Sequence, residues 1–317
     1  MSDQISLRKA EHLDLAQRMS DEVSGSAGWS DIHLVHQALP SIDADMIDIS
    51  TMMLGRHLSF PLIIPGMTGG HPGAVEVNRL LASAAEKVGV AIGVGSQRAA
   101  LEYPELTRSY AIVREEAPTA FVVGNIGISQ LISYFDEGLM DRHVGTLIEM
   151  IGADALAVHL NYLEEVVQPE GQTLAQRALN ALAAFVEASP VPVIAKETGG
   201  GLSVEVARTL RDIGVSMLDV GGRGGTSFAA IEAERSRARG DHRRSELGTT
   251  LDKNVWSEFR ADWTRTTIKA SEAFESVVGD YWIEANANQI SASDAQYVFQ
   301  EGQTREAVVQ VRQWQYL

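Results

Sequence analysis

The chain has 317 residues, of which 45% are hydrophobic and 21% are charged, as in a soluble globular protein built from one large α/β domain or two ordinary ones. Its 26 Lys and Arg residues against 42 Asp and Glu residues give a formal charge of −16, which argues against general binding to nucleic acid or to an anionic membrane. The absence of cysteine excludes a disulfide framework, a thiolate nucleophile and a cysteine-ligated zinc site.

The N-terminal stretch MSDQISLRKAEHLDLAQRM is charged and lacks the apolar core of a signal peptide. No later apolar run approaches the roughly 20 residues that span a bilayer, so we expect a cytoplasmic protein without a membrane segment. A polar helix is predicted from Ser6 to Met19, with the serine as its N-cap. Residues 20–57 read as irregular chain with short strand-like pieces, DIHLVHQ and DMIDIS.

Six apolar runs follow at intervals of roughly 25–35 residues, and each ends in a glycine-rich or polar motif. A continuous apolar run is typical of a buried parallel strand, and the stretches between the runs are amphipathic and long enough for helices. The predicted strands are 61–66, 90–95, 120–125, 155–160, 191–195 and 216–220, and the predicted helices are 73–88, 104–116, 139–151, 172–188 and 203–213.

This alternation predicts an α/β fold, and specifically a (β/α)8 barrel of the TIM type, because an open sheet usually shows one dominant phosphate-binding turn. We divide the chain into an N-terminal segment over 1–57 that packs on the barrel, six βα units over 58–235, and a divergent C-terminal region over 236–317. The alternation fails after about residue 230, where IEAERSRARGDHRRSELGTTLDKN is charged and loop-like. No convincing seventh or eighth strand follows, although a barrel needs all its strands to close.

Loops at the carboxyl ends of barrel strands carry the chemistry of such folds. The glycines of MTGG (67–70) let backbone amides approach a flat ring or an anion, although a tight βα turn explains them equally well. In GSQR (95–98), Arg98 suits a two-pronged contact with phosphate, and a surface ion pair is the equal alternative.

The richest group of polar residues follows the fourth predicted strand. His159 and Asn161 stand on one side of that strand, and Glu164 and Glu165 come directly after it. Mg²⁺ prefers carboxylate oxygens, water and substrate phosphate as ligands. The combination therefore favours a functional site over a merely structural histidine.

The last two predicted strands also end in polar motifs. Lys196 follows an entirely apolar run and would be costly to bury without an anionic partner, although Glu197 offers it a pairing at the rim. The loop DVGGRGGTS (219–227) can form an anion-binding nest to which Thr226 and Ser227 add hydroxyls. It is not the dinucleotide fingerprint, since it follows the sixth strand and not the first.

Taken in order, these motifs resemble the type 2 isopentenyl-diphosphate isomerases, which are FMN-dependent (β/α)8 enzymes. The matching stretches are RKAEHL, MTGG, GSQR, the asparagine of VVGNIG, HLNYLEEVVQPEG, KETGGG and DVGGRGGTSFAAIE, which together cover about residues 5–235. From the residues alone, the positive cluster Arg8, Lys9 and His12 is better explained as a solvated helix.

The resemblance implies a role for each matching position. The residues implied for the substrate diphosphate are Arg8, Lys9, Ser96, Gln97, Arg98 and Glu164. Those implied for FMN are Met67, Thr68, Gly69, Ser96, Asn125, Lys196 and Thr226. Glu165 would ligate Mg²⁺, and the residues implied for catalysis are Glu164, His159, Asn161 and His12.

The implied reaction converts isopentenyl diphosphate to dimethylallyl diphosphate by adding a proton at the terminal carbon and removing one from C2. It requires reduced FMN, NADPH as the reductant, and Mg²⁺. The partner would be a small diphosphate, with no nucleic acid and no membrane, and the enzyme would be a homo-oligomer of four or more chains.

Three departures from the family pattern leave alternatives open. Glu164 stands where the family usually has Gln, Gly221 where it commonly has Ser, and the later Gly-Gly-Ile-Arg segment is not visible. The tail is therefore divergent or altered by a change of reading frame. One alternative is another FMN-dependent barrel oxidoreductase of the 2-hydroxy-acid type, which is weakened because no histidine follows His242. The other is an inactive remnant that has lost the FMN phosphate site.

Overall fold

The computed structural model describes residues 2–19, 38–39, 41, 43–198, 202, 204–219 and 227–250. Within these ranges the strands are β1 (Thr51–Met53), β2 (Arg56–Leu58), β3 (Ile63–Ile64), β4 (Ala91–Gly93), β5 (Val122–Gly127), β6 (Ala155–Leu160), β7 (Val193–Glu197) and β8 (Met217–Asp219). The helices are α1 (Ser2–Arg18), α2 (Ala74–Val88), α3 (Arg98–Glu102), α4 (Arg108–Glu116), α5 (Ile128–Asp136), α6 (Met140–Ile151), α7 (Tyr162–Val167), α8 (Ala178–Ala188), α9 (Val204–Asp212), α10 (Phe228–Ala238) and α11 (His242–Thr250).

Strands β3 to β8 form one parallel sheet in which each strand pairs with the next along the chain. At least one helix connects each pair of neighbours, which is the connectivity of a (β/α) barrel. The prediction of six βα units in barrel order is thereby confirmed. Among the described residues this parallel sheet has six strands, and the region after residue 250 lies outside them.

The two faces of the sheet carry separate apolar clusters. The larger one packs the outer face against the helices. The smaller one joins Ile63 on β3 to Val123, Ala157 and Met217 on β5, β6 and β8. Because the first and last strands of the sheet share this inner cluster, the sheet is curled around it.

The antiparallel hairpin β1–β2 closes the amino-terminal end of the curled sheet. Met53 and Leu58, which are 0% and 2% exposed, belong to the inner cluster. They share it with Phe121 and Ala155, which stand just before β5 and at the start of β6. The opposite, carboxyl end of the strands is therefore the end left for a site.

The apolar pattern explains the helices that were predicted well. Helix α2 buries Asn78, Ala82 and Ala85, which share one face at helical spacing. Gly89 ends the helix with φ of +77°, a conformation that suits glycine, and its N–H donates to the carbonyl of Ala85.

The loop-like interpretation of the segment after residue 230 is wrong for its described part, because α10 and α11 are both helical. Ser227 caps α10 by accepting a hydrogen bond from the Ala230 amide at 3.3 Å. The boundary predicted at residue 235 falls inside α10. The apolar period failed here because α10 buries the charged side chains of Glu232 and Arg235.

Other differences concern short elements. Helices α5 and α7 directly follow β5 and β6, where no helix was predicted, and the helix predicted over 172–188 begins only at Ala178. DMIDIS (45–50) is not a strand and overlaps a 3-10 turn over Ala44–Met46, and DIHLVHQ lies outside the described residues. No helix in the described part of the chain is long and apolar enough to cross a membrane.

Candidate functional site

A row of inward-facing residues crosses four strands at the carboxyl edge of the sheet. The parallel register pairs Gly127 with His159, His159 with Lys196, and Lys196 with Asp219. Side chains alternate along a strand, so His159, Lys196 and Asp219 share the face of Ala157, Ile194 and Met217, the inner cluster residues two positions before them. The imidazole, the ammonium and the carboxylate therefore belong to one rim layer.

An apolar pocket lies under this row and holds about 360 Å³ of empty space, part of it open to solvent. Its lining comes from all six strands of the curled sheet: Ile63, Pro65, Gly66, Gly93, Val94, Val123, Gly124, Asn125, Ala157, Ile194, Met217 and Asp219. A Cβ added to Gly66 would meet the Val94 carbonyl oxygen at 2.2 Å. Glycine is thus required where the backbones of β3 and β4 approach each other.

Asn125 fixes the orientation of His159. Its Nδ2 donates to the Val94 carbonyl oxygen at 3.0 Å, which turns its Oδ1 toward the imidazole. That Oδ1 lies 2.7 Å from His159 Nδ1. Because an amide oxygen can only accept, Nδ1 carries the proton, and Nε2 is the acceptor atom of the neutral ring.

The segment after β6 gathers the predicted carboxylates. Asn161, 4% exposed, donates from Nδ2 to Glu165 Oε1 at 3.1 Å and lies 3.4 Å from Glu164 Oε2. The other Glu165 oxygen accepts from the Gln172 amide at 2.6 Å. Asn161 Oδ1 is buried without a hydrogen-bond partner among the described residues, which is costly for a polar atom.

The burial and the hydrogen bonds of Glu165 are consistent with a role as a magnesium ligand. It is 7% exposed, and the two donors named above are uncharged, so a cation would compensate the buried carboxylate. In the described part of the chain, no three His, Asp or Glu side chains cluster as a metal cage. Mg²⁺ bound here would therefore draw further ligands from water or a substrate phosphate, as it commonly does.

The MTGG side chains and glycines contact the protein itself. Thr68 Oγ1 hydrogen-bonds to Asn78 of α2. A Cβ on Gly69, whose φ is +148°, would lie 2.0 Å from the Tyr110 ring. The side chain of Met67, in contrast, is 41% exposed. Packing against Tyr110 accounts for the glycine, and the role implied for these residues toward FMN stays a prediction.

The side chain of Gln97, which the resemblance implied for the diphosphate, has structural contacts in this fold. It is 0% exposed, and its Nε2 donates to the Leu147 carbonyl oxygen at 2.9 Å. Its Oε1 accepts from the Asn125 amide at 3.0 Å. The side chain thus joins the end of β5 to α6, and the role implied for Gln97 toward the diphosphate stays a prediction.

Ser96 and Arg98, the two neighbours of Gln97, make different contacts. The Ser96 carbonyl oxygen accepts from Tyr110 Oη at 2.6 Å, so the serine side chain is not the group that holds this loop. Arg98 Nε donates to Glu102 Oε1 at 2.6 Å, and Nη1 lies 3.5 Å from Gln172 Oε1. Since a guanidinium has five N–H donors, Arg98 keeps donors for an anion.

Helix α1 is not the solvated helix that the residues alone favoured. His12 Nε2 lies 2.6 Å from Glu232 Oε1, and its ring meets Phe228 edge-on at 5.6 Å between centroids. Leu15 is buried as well. Helix α1 is therefore docked against α10.

Two charged residues, Arg8 and Glu232, have buried polar atoms near the contact between α1 and α10. Burial raises the pKa of Glu232 to about 7, against the opposing effects of the Arg235 and Arg8 charges. Burial also raises the pKa of Tyr110, and the charge of Arg8 again opposes the rise. Arg8 Nε is buried with no hydrogen-bond partner among the described residues, as expected of a guanidinium that awaits an anion.

Some predicted positions are not brought into the site by described atoms, and some site residues were missed. Thr226 and the side chain of Lys9 lie outside the described part. Asp219 was overlooked, although it opens the DVGG motif and immediately follows an apolar run. Glu232 was overlooked because the segment around it lacked an apolar period.

The chain is similar in sequence to curated isopentenyl-diphosphate delta-isomerases. It is 48% identical to that of Methanococcoides burtonii over 77% of this chain and 66% of the relative. It is 49% identical to that of Methanothermobacter thermautotrophicus over 74% and 64%, and 47% identical to that of Halobacterium salinarum over 78% and 68%. The chain thus spans about two thirds of the length of these relatives. No protein-family model matches it.

Two solved structures are similar at a lower level. A soluble mutant of the membrane-associated (S)-mandelate dehydrogenase from Pseudomonas putida is 15% identical, with a TM-score of 0.41 over 73% of this chain and 68% of that one. A mandelate oxidase mutant with a monooxide FMN adduct is 14% identical, with a TM-score of 0.41 over 85% and 94%. These TM-scores are too low to establish a common fold.

Proposed function

The chain belongs to the isopentenyl-diphosphate delta-isomerase family, and on that premise we propose that it converts isopentenyl diphosphate to dimethylallyl diphosphate with reduced FMN and Mg²⁺. One observation carries the proposal beyond the family name. The row of His159, Lys196 and Asp219, with Asn125 one layer below, stands over an apolar pocket at the carboxyl edge of the strands. That edge is where barrels place their chemistry.

The pocket suits a flat heteroaromatic ring. Its walls are apolar, and glycines stand where the backbones approach each other most closely. FMN, reduced by NADPH, would supply here a planar surface able to exchange protons with an alkene carbon. Lys196 would place a positive charge beside the ring, and Asn125 and Met67 would contact it.

The diphosphate would lie on the side of the rim that carries Arg8 of α1 and Glu165 of α7. Arg8 offers a buried donor without a partner, and Arg98 keeps donors beyond its pair with Glu102. Glu165 would hold Mg²⁺ against the phosphate oxygens. This division places charge recognition away from the apolar pocket, where the hydrocarbon part of the substrate would be shielded from water.

Proton movement near the alkene would fall to the chain's own acid and base groups. The hydrogen bond from Nδ1 leaves His159 Nε2 as a proton acceptor. Glu164 is a carboxyl group 3.4 Å from Asn161 Nδ2, and a carboxyl group can accept and return a proton. His12 and Asn161 complete the set of polar groups proposed around the substrate.

The test uses the full chain with FMN, dithionite or NADPH, Mg²⁺ and ¹³C-labelled isopentenyl diphosphate, followed by NMR in D₂O. We expect dimethylallyl diphosphate containing deuterium, formed only when both reduced FMN and Mg²⁺ are present. A folded protein that binds FMN but leaves the substrate unchanged would overturn the proposal. Flavin bleaching by lactate or mandelate would instead indicate a 2-hydroxy-acid oxidoreductase, and a protein without affinity for FMN would indicate a remnant.

A further inference from the structure

Arg235 of α10 is almost completely buried and contacts three carboxylates at once. Its side chain is 1% exposed. Nε donates to Glu11 Oε2 at 2.8 Å, Nη1 to Glu232 Oε2 at 2.5 Å, and Nη2 to Glu170 Oε1 at 2.6 Å. Each of the three guanidinium nitrogens therefore has its own acidic partner.

The three partners lie on three segments of the chain. Glu232 is on α10 itself, one turn before Arg235. Glu11 is on α1, directly before His12 and one turn after Arg8. Glu170 lies three residues beyond α7, the helix that carries Glu165. The guanidinium is thus a direct link between the segments that carry the proposed diphosphate and magnesium ligands.

Further contacts hold the end of α7 on α10 and α11. Ser236 Oγ donates to the Val167 carbonyl oxygen at 3.3 Å, and Arg244 Nη1 donates to the Pro169 carbonyl oxygen at 2.5 Å. For α1, in contrast, the polar contacts of its described side chains with α10 and with Arg239 directly after it are made by Glu11 and His12. Loss of Arg235 should therefore loosen α1 more than α7.

We propose that Arg235 is a positioning residue that holds α1 and the α7 segment together, so that Arg8 and Glu165 meet one Mg²⁺–diphosphate. This inference rests on the proposed function. The role needs a guanidinium, because its planar fork addresses three acceptors in fixed directions, whereas a lysine ammonium is a compact point charge. Removing the guanidinium would leave buried Glu232 and its two neighbours without their shared cation.

Arg239 offers an internal comparison, because it contacts the same two outer carboxylates. Its Nη1 lies 3.1 Å from Glu170 Oε2 and its Nη2 lies 3.3 Å from Glu11 Oε2. Its side chain is 40% exposed, and ion pairs in contact with water contribute little. We therefore expect Arg239→Gln to have a much smaller effect than Arg235→Met on KM and on hydrogen exchange in α1.

The first experiment compares Arg235→Met and Arg235→Lys with Arg239→Gln and with the exposed control Arg237→Gln. For Arg235→Met we expect KM for isopentenyl diphosphate to rise by about tenfold or more while kcat changes by less than about threefold, because a smaller fraction of the enzyme has α1 in place. Arg235→Lys should restore part of the loss. Hydrogen exchange should show faster exchange of the α1 amides in Arg235→Met and unchanged exchange in the two controls.

A second pair of variants separates the two arms and remains informative if Arg235→Met does not fold. Glu11→Ala cuts the α1 arm and should weaken binding of inorganic pyrophosphate by about tenfold, with faster exchange in α1. Glu170→Ala cuts the α7 arm and should chiefly raise the Mg²⁺ concentration needed for half-maximal activity. A uniform loss of stability would not separate pyrophosphate affinity from Mg²⁺ dependence in this way.

Unchanged α1 exchange and unchanged KM in Arg235→Met and Glu11→Ala, with an active wild type, would overturn the inference. So would equal effects of Arg239→Gln and Arg235→Met. Failure of the proposed function has a different signature, in which the wild type neither binds pyrophosphate with Mg²⁺ nor turns over. The hydrogen-exchange comparison would still decide in that case whether Arg235 holds α1.

Discussion

Polar side chains at the ends of β3 and β4 have different surroundings from those at the ends of β6 and β7. After β3, Thr68 hydrogen-bonds to Asn78. After β4, the side-chain amide of Gln97 hydrogen-bonds to the backbone of α6 and of β5. At the ends of β6 and β7, His159 and Lys196 face the inside of the curled sheet. Both sides follow the same sequence rule of an apolar strand with a polar end.

The difference lies in what packs behind each strand end. Asn78 on α2 and the carbonyl of Leu147 on α6 supply hydrogen-bond partners for Thr68 and Gln97. His159 is instead held by Asn125, another residue of the inner face. The contacts of Thr68 and Gln97 thus run to the helices behind the sheet, whereas the contact of His159 with Asn125 stays on the inner face.

The largest expected effect concerns the β6 side. Glu165→Gln keeps an acceptor for the Gln172 amide but removes the charge that would hold Mg²⁺. We expect kcat/KM to fall by at least about a hundredfold, measured by isomerisation across a Mg²⁺ titration. The matched control is Glu187→Gln, because Glu187 is exposed on α8. Equal activity of the two variants would show that Glu165 does not bind the metal.

The second prediction concerns the opposite side. Gln97→Ala leaves the Asn125 amide without its acceptor and opens a cavity under α6. We expect a loss of about 2–4 kcal/mol in the free energy of unfolding, measured by urea denaturation. KM of the remaining folded enzyme should stay within about twofold of wild type. A raised KM at unchanged stability would instead assign Gln97 to the diphosphate site.

The third prediction uses the raised pKa of Glu232. Because the folded-state pKa of about 7 lies above the ordinary 4.5, the folded protein holds a proton that the unfolded chain has released between these values. The contribution of Glu232 to stability is therefore complete below about pH 4.5 and is lost as the pH rises through about 7, roughly 3 kcal/mol in all. Thermal unfolding of wild type and Glu232→Gln from pH 5 to 8 should show this slope in the wild type only. A parallel slope in both proteins would contradict the assignment.

The smallest expected effect concerns Arg98, which stands between the two sides. Arg98→Ala should raise KM for isopentenyl diphosphate by about five- to tenfold, because one charged contact to phosphate is lost. Stability should change by no more than about 0.5 kcal/mol, as for a partly exposed ion pair. Arg108→Ala is the control, since Arg108 forms an exposed pair with Glu115. Equal KM values for the two variants would show that Arg98 does not contact the diphosphate and only pairs with Glu102.

Strands and strand-end residues were predictable where apolar pattern decides. Strand β6 occupies Ala155–Leu160, the residues that the apolar run predicted. The alternation put His159 and Asn161 on one side of that strand, but the strand ends at Leu160, and the sequence did not show which side faces the inner cluster. Gln97 could not be placed, since its partner Leu147 is 50 residues away and on another element. Helix α10 was not predicted, because its buried side chains include Glu232 and Arg235. These two charged residues pair with each other, so the helix shows no apolar period.

The most direct test of the site is a crystal structure of the full chain with FMN, Mg²⁺ and inorganic pyrophosphate. We predict the isoalloxazine ring in the pocket beside Asn125 and Lys196, the pyrophosphate on Arg8, and the metal on Glu165. A ring bound elsewhere on the chain, or a pyrophosphate that touches neither Arg8 nor a metal on Glu165, would contradict the account.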